Sequence, residues 1–438
     1  MVDGNHIVAD FISNTKYQEL PSEVQYQAKR CFLDILGATL AGTTTPVGHL
    51  IARYAVDQHN GSEATILMTN HKASIVGATL ANAFAANALD VDDGYRLIKG
   101  HPGANIFPAA LAIAEKEGKS GEELLGALVI GYEVAIRAGL ILHGIYSSYH
   151  GSGSWGALGA AAAATKLLSL GSNEIHCALG IAEYHAPITP MMRSIDCPGM
   201  VKDGIGWGSM VGVSAALLAQ KGFTGIDSLL GNPEHENLIS QLGQRFEMLS
   251  LYFKPYPCCR WAQPAVDGVR AIVYQHHVKP HEIKRVKVHT FRAATRMTVV
   301  KPRNTEEAQY SLAYPVAATI IDGEFGLKQV LGDRLEDEAI LELADKVEIV
   351  LSDKLEDEFP ERCLCEVEII TDGNQSFPSG VMAAKGDPDI PLSDKELERK
   401  FRQLAGSVLD AGKVQDLIEM VWHLEELEGV KHFTKELH

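Results

Sequence analysis

Up to about residue 250 the apolar positions recur at the three-and-four spacing of helices. Pro21 and Ser22 open PSEVQYQAKRCFLDILGATLAG, in which Val24, Cys31, Ile35 and Leu36 share one face. Ser120 stands as a cap before GEELLGALVIGYEVAIRAGLIL, and GALGAAAAATKLLSL and GSMVGVSAALLAQ predict helices faced with Gly and Ala. Small faces let helix axes approach closely, so these are expected to be central helices of a bundle. After about residue 260 the period changes to two, in RVKVHTF (285–291) and CLCEVEII (363–370), the second running into a hairpin-turn signal at Asp372-Gly373. Helical stretches such as AQYSLAYPVAATIIDG lie between, which predicts a smaller α+β unit. From Ser393 and Glu396, a capping box, the pattern is helical again. The expected fold is therefore mainly α. Residues 1–260 and 393–438 form a large all-helical domain built from both chain ends, and residues 261–392 an inserted α+β lid domain.

Composition narrows the function. The net charge of −17 argues against a nucleic-acid partner, though not against an anionic small molecule bound in a locally cationic pocket. The start of the chain lacks a secretory pattern, and the longest uncharged run, 205–220, is short for a bilayer span, so no membrane association is expected. Seven sparse cysteines make no disulfide framework and point to a reducing cytoplasm. Cys258 and Cys259 are adjacent and cannot easily chelate one ion together. Cys363 and Cys365 share a strand face and read as core, so no metal is expected. No P-loop, dinucleotide fingerprint or nucleophile elbow is present, which leaves cofactor-independent chemistry.

Charge is concentrated where small-residue helices end or begin. ALDVDDGYRLIKGHPGA (88–104) holds three carboxylates, two cations and a histidine. YHGSGSWGALGAAAAA puts His150 before a helix start whose free N–H groups could hold an anion. MMRSIDCPGMVKDGIGWG carries Arg193 and Lys202, and YFKPYPCCRWAQP carries Lys254 and Arg260.

In order and spacing these segments, with LPSEVQYQAKRCFLDILGATLAG, AALLAQKGFTG, AQYSLAYPVAATIIDG and KGDPDIPLSDKELERKF, resemble the MmgE/PrpD family along nearly the whole chain. That family includes 2-methylcitrate dehydratase, cis-aconitate decarboxylase and iminodisuccinate epimerase. The resemblance implies a homodimer and a site in which Asp90, His101, His150, Lys202, Lys254 and Tyr314 are catalytic, Lys202 and Lys254 facing substrate carboxylates. Arg96, Arg193, Cys259 and Arg260 are the candidate substrate-binding groups. The sequence departs from the family in two places: KDGIGWG stands for a Lys-x-Leu-His-x-Gly pattern, and Cys259 stands where some decarboxylase members carry a histidine. The expected activity is a lyase on a small di- or tricarboxylate, foremost a 2-methylcitrate dehydratase-like hydro-lyase. The alternatives are an itaconate-forming cis-aconitate decarboxylase, an iminodisuccinate-type epimerase, and an inactive helical dimer.

Overall fold

The computed structural model describes residues 3–438. About 60% of the chain is helical and about 9% is strand, so the fold is mainly α. The main body is built on Ser22–Gly42, Ile75–Asn87, Pro102–Glu117, Gly121–Ile145, Gly153–Leu167 and Ile205–Gln220. The Gly/Ala-faced helix Gly153–Leu167 runs through its centre, buried at every position but Lys166. Helix Ile205–Gln220 lies so close to it that a Cβ on Gly212 would sit 2.4 Å from the carbonyl oxygen of Ala157. The small residues therefore do what their spacing predicts, bringing backbones into direct contact. A short antiparallel hairpin, β1 (Ala64–Ile66) with β2 (His71–Ala73), flanks this body.

Gly121–Ile145 is long and apolar enough to cross a membrane, but 94% of its apolar window is buried inside the protein. Its buried Glu133 and Arg137 pair with each other, and Glu133 also accepts the N–H groups of Glu247 and Met248. It is packed as a core helix. Ser120 caps it in a reciprocal box with Glu123.

A second apolar core gathers Gln263–His276 and Ala313–Asp322 against a four-stranded sheet of β3 (Ile283–Thr290), β4 (Val347–Leu351), β5 (Leu364–Thr371) and β6 (Ser376–Ala383). The order is β4-β3-β5-β6, with β3 and β4 parallel and the other pairs antiparallel. The hairpin between β5 and β6 turns through Asp372-Gly373, and Asn374 takes the left-handed conformation there. Ala38, Ala41, Leu89, Val91 and Leu404 of the helical body are packed into this second core, so the two cores meet directly.

The C-terminal segment returns to the first body. Ser393 and Glu396 cap the helix Asp394–Ala405, which lies on Ser22–Gly42. Its buried Lys400 donates to Asp34 and to the carbonyl of Val91. That second bond ties the returning chain to the carboxylate-rich turn after Ile75–Asn87.

Candidate active site

The segment 88–104 is not a solvated loop. Asp90, Asp92 and Asp93 are all 1% exposed or less, so burial selects a specific partner for each. Asp93 accepts the N–H of Gly103 at 3.0 Å and the hydroxyl of Tyr132, which anchors the start of the helix Pro102–Glu117. Gly103 is required for this: a Cβ there would meet the Asp93 carboxylate at 2.7 Å. Burial, helped by the charge of Asp34, pushes the Asp93 carboxyl up to about 7. Asp93 is therefore a structural acid. Asp92 accepts from Asn87 at 2.8 Å, leaving its other oxygen turned to His101.

Asp90 sits in a left-handed conformation (φ 50°) that directs both its carbonyl and its carboxylate at Lys254, whose ammonium lies 3.0 Å and 2.5 Å from them. His101 bridges the two acids, with Nε2 3.3 Å from Asp90 and Nδ1 3.1 Å from Asp92. Its backbone N–H is fixed by Ser152 Oγ at 3.1 Å. Burial is the strongest influence on His101 and disfavours the imidazolium, as does Lys254. Asp92 and Asp90 outweigh both, and the ring is held above its ordinary range. For Lys254, burial would lower the ammonium, but Asp90 outweighs it and the group is held charged. The result is a histidine whose charged form is favoured, and a lysine ammonium, beside Asp90 and Asp92.

These groups open onto a narrow cleft, with room of about 30 Å³, where the two cores meet. Asp90, His101 and Lys254 line it, together with Arg96, Cys259 and Arg260. Both guanidiniums reach Asp387 and lie over the ring of Tyr252, 5.4 Å and 4.5 Å from its centre. Arg260 also donates to the carbonyls of Ala384 and Lys385, so it is largely committed to holding the C-terminal return in place. Burial pushes the Cys259 thiol up, with the Asp90 charge adding to the effect, so it is a neutral group.

The remaining sequence candidates fall elsewhere. Lys202 is buried just behind the cleft wall, donating to Gln309 at 2.7 Å with Tyr310, a lining residue, under its ammonium. Burial pulls its pKa below the usual lysine range. His150 follows the lining residue Tyr149, but its ring stacks on His143 and meets Tyr146, and is not among the side chains lining the cleft. The expected anion cradle at the start of Gly153–Leu167 is covered by Asp203 and Gly204, which pack directly on Gly151 and Gly153. Tyr314 is buried in the second core, its hydroxyl donating to the carbonyl of Gln329 at 2.7 Å. Arg193 is an exposed residue of the short helix Met192–Asp196.

Sequence reasoning passed over Asp92, Tyr252, Asp203 and Asp387. All but Tyr252 were visible as acids inside charged segments, but only the fold reveals that they are buried. Cys363, read as core, lines the cleft from the start of β5.

Asp90, Asp92 and His101 present three ligand atoms within 4.8 Å of one another, the geometry of a candidate cation site. Lys254 argues against that use. Its ammonium already takes Asp90, and a divalent ion bound to the same oxygen would face a fixed positive charge.

Residues 6–240 match the MmgE/PrpD N-terminal domain and residues 256–426 the MmgE/PrpD C-terminal domain. The chain belongs to the MmgE/PrpD family. Human cis-aconitate decarboxylase is 28% identical, the match covering 97% of this chain and 92% of that protein. The mouse cis-aconitate decarboxylase is 26% identical over 98% and 92%, and a cis-aconitate decarboxylase-like protein of Aspergillus oryzae 25% over 95% and 94%. This MmgE/PrpD chain is a lyase.

Proposed function

We propose that this lyase acts on a small di- or tricarboxylate and removes water from a 2-methylcitrate-like hydroxy acid. The observation that carries the reading is His101, lining the cleft with its two ring nitrogens 3.3 Å and 3.1 Å from Asp90 and Asp92, which favour its charged form. Loss of water next to a carboxylate needs an acid for the departing hydroxyl and cations for the carboxylates. His101 supplies the first. Lys254 and Arg96, both lining the cleft, supply the second, and the Arg96 guanidinium is suited to a carboxylate.

Decarboxylation of cis-aconitate is the second reading, favoured by the names of the similar human, mouse and Aspergillus proteins. Against it stands Cys259, a neutral thiol at the position where some decarboxylase members carry a histidine. All seven cysteines are free, which agrees with work in a reducing cytoplasm. Exposed Met200, Val201 and Trp207 at the entry to Ile205–Gln220 suit a homodimer contact.

The test is to incubate the pure protein separately with 2-methylcitrate, citrate, cis-aconitate and iminodisuccinate, and follow the products by proton NMR and gas release. Loss of water from a hydroxy acid is the expected result. Carbon dioxide from cis-aconitate, with no dehydration, would replace the first reading by the second.

A further inference from the structure

The turn that carries Asp90 is held by its carbonyls. Lys254 donates to the carbonyl of Asp90 at 3.0 Å, Lys400 to that of Val91 at 2.6 Å, and Gln309 Nε2 to that of Ala88 at 3.0 Å. These donors stand 164, 309 and 221 residues away along the chain. Such holding is needed, because Asp90 takes φ 50°, a conformation that a residue other than glycine keeps only when its surroundings fix it. Lys254 and Lys400 grip the turn at Asp90 and after it. Gln309 grips it before.

Gln309 spends its whole side chain on such contacts. It is fully buried at the end of the short helix Thr305–Gln309, and its neighbours Ala308 and Tyr310 pack in the second core. Its Oε1 accepts from the Lys202 ammonium at 2.7 Å, while Nε2 donates to Thr305 Oγ1 at 2.8 Å as well as to Ala88. The amide can stand in only one orientation, since an ammonium only donates and a peptide carbonyl only accepts. Its backbone carbonyl accepts the N–H of Cys259 at 2.9 Å. One residue of the second core thus joins Lys202, the turn of Asp90 and the segment that carries Lys254 and Cys259. Gln309 is not among the residues lining the cleft, although the next residue, Tyr310, is.

We propose that Gln309 is a positioning residue of this lyase: from the second core it fixes the Ala88 carbonyl, and through it the left-handed Asp90 that meets Lys254 and His101. The inference rests on the reading of His101 as the proton carrier, and not on which carboxylate is the substrate. Without the amide N–H, the buried Ala88 carbonyl loses its side-chain donor and the turn is free to relax at Asp90. The Asp90 carboxylate then leaves its place 3.3 Å from His101 Nε2. The charged groups facing that ring are Asp90 at Nε2 and Asp92 at Nδ1, with the charges of Lys254 and Asp203 also acting on it. Moving Asp90 away removes one of the two acids that favour the imidazolium, so the ring should titrate at lower pH.

The test compares Gln309→Met, which loses both side-chain contacts, with Gln309→Glu, which can still accept from Lys202 but offers the Ala88 carbonyl no N–H when ionised. Both are assayed at a temperature where circular dichroism shows them folded, with whichever acid of the panel the wild type converts. The ring of His101 is followed by NMR of protein labelled with ¹⁵N-histidine, its signal assigned by its absence in His101→Asn. Both variants should lose kcat by about 10- to 100-fold with KM within about threefold, as for a misplaced reacting group. In both, the His101 ring should titrate lower by about half a unit or more. A folded Met variant that keeps more than half of kcat, with its ring titrating as in the wild type, overturns the assignment. So does a loss of kcat with an unmoved ring, which would mean that the effect does not pass through Asp90. A Glu variant with wild-type kcat overturns it too, by giving the role to the Lys202 contact, and a variant that folds at no temperature would make Gln309 a structural residue only. Failure of the underlying reading looks different: a lowered ring titration with kcat unchanged would refute the proton role of His101, and the assignment would fall with it.

Discussion

Replacing Lys254 by Met removes the cation from a pair whose two side chains are each 1% exposed. The Asp90 carboxylate would then keep only the longer contact to His101, at 3.3 Å, in a site with little water to solvate it. Breaking a buried pair from one side costs about 3–5 kcal/mol, against about 0–1 kcal/mol for an exposed pair. Removing both charges in Lys254→Met/Asp90→Asn takes away the orphan, so the double variant should recover a large part of the loss, with a coupling energy of about 2 kcal/mol or more. Urea unfolding of the wild type, both single variants and the double variant measures this, provided the slopes agree. In turnover, loss of the ammonium should mainly raise KM, by about 10- to 150-fold for a charged hydrogen bond worth about 1.5–3 kcal/mol. A Lys254→Met protein destabilised by less than about 1 kcal/mol would refute the claim that this pair is buried and interdependent.

Turnover should survive exhaustive treatment with EDTA and an iron chelator, because Lys254 occupies the acid that a metal would need; loss on chelation, restored by one metal, would contradict this. Tyr314→Phe should leave kcat unchanged and cost about 1–2 kcal/mol of stability through the lost bond to Gln329; a tenfold fall in kcat at unchanged stability would instead make it a site residue. Asp93 gives stability a pH dependence. Its carboxyl is raised to about 7 in the fold and titrates near 3.9 when unfolded, so its contribution is full below about pH 4 and lost as pH rises through 7. Asp93→Asn should flatten that slope, and an unchanged slope would place the proton elsewhere.

The parts of this molecule legible in the sequence are those set by local chemistry. Ser120 with Glu123 and Ser393 with Glu396 form capping boxes wherever a helix starts with those spacings. Asp372-Gly373 makes a hairpin turn for the same kind of reason, and the period-two runs became β3 and β5. What stayed hidden depends on contacts between distant segments. Nothing local says that Asp387 receives both Arg96 and Arg260, across gaps of 291 and 127 residues. Nothing local says that Asp203 has no partner at all. Burial likewise separated Asp93, an anchor for a helix start, from Asp90, three residues earlier and facing the cleft. Tyr314 and His150 show the converse dependence on distant contacts. Their positions match a pattern, but their side chains are spent on Gln329 and on a stack with His143.

The central claim is that His101 carries a proton in the reaction, and the kcat–pH profile of His101→Asn tests it most directly. Asparagine keeps a polar group near Asp90 and Asp92 but has no proton to give. With His101 held above its ordinary range, the wild-type rate should fall as pH rises through a value above about 6.5, where the ring loses its proton. The sign of the stability effect follows from the same shift: the pairing stabilises the fold fully below about pH 6.5 and fades as pH rises through the folded value. In His101→Asn, kcat should drop by roughly 10²–10⁴-fold with a smaller change in KM, and the alkaline limb should disappear. A folded His101→Asn enzyme that keeps most of the wild-type kcat, with that limb intact, would contradict the account.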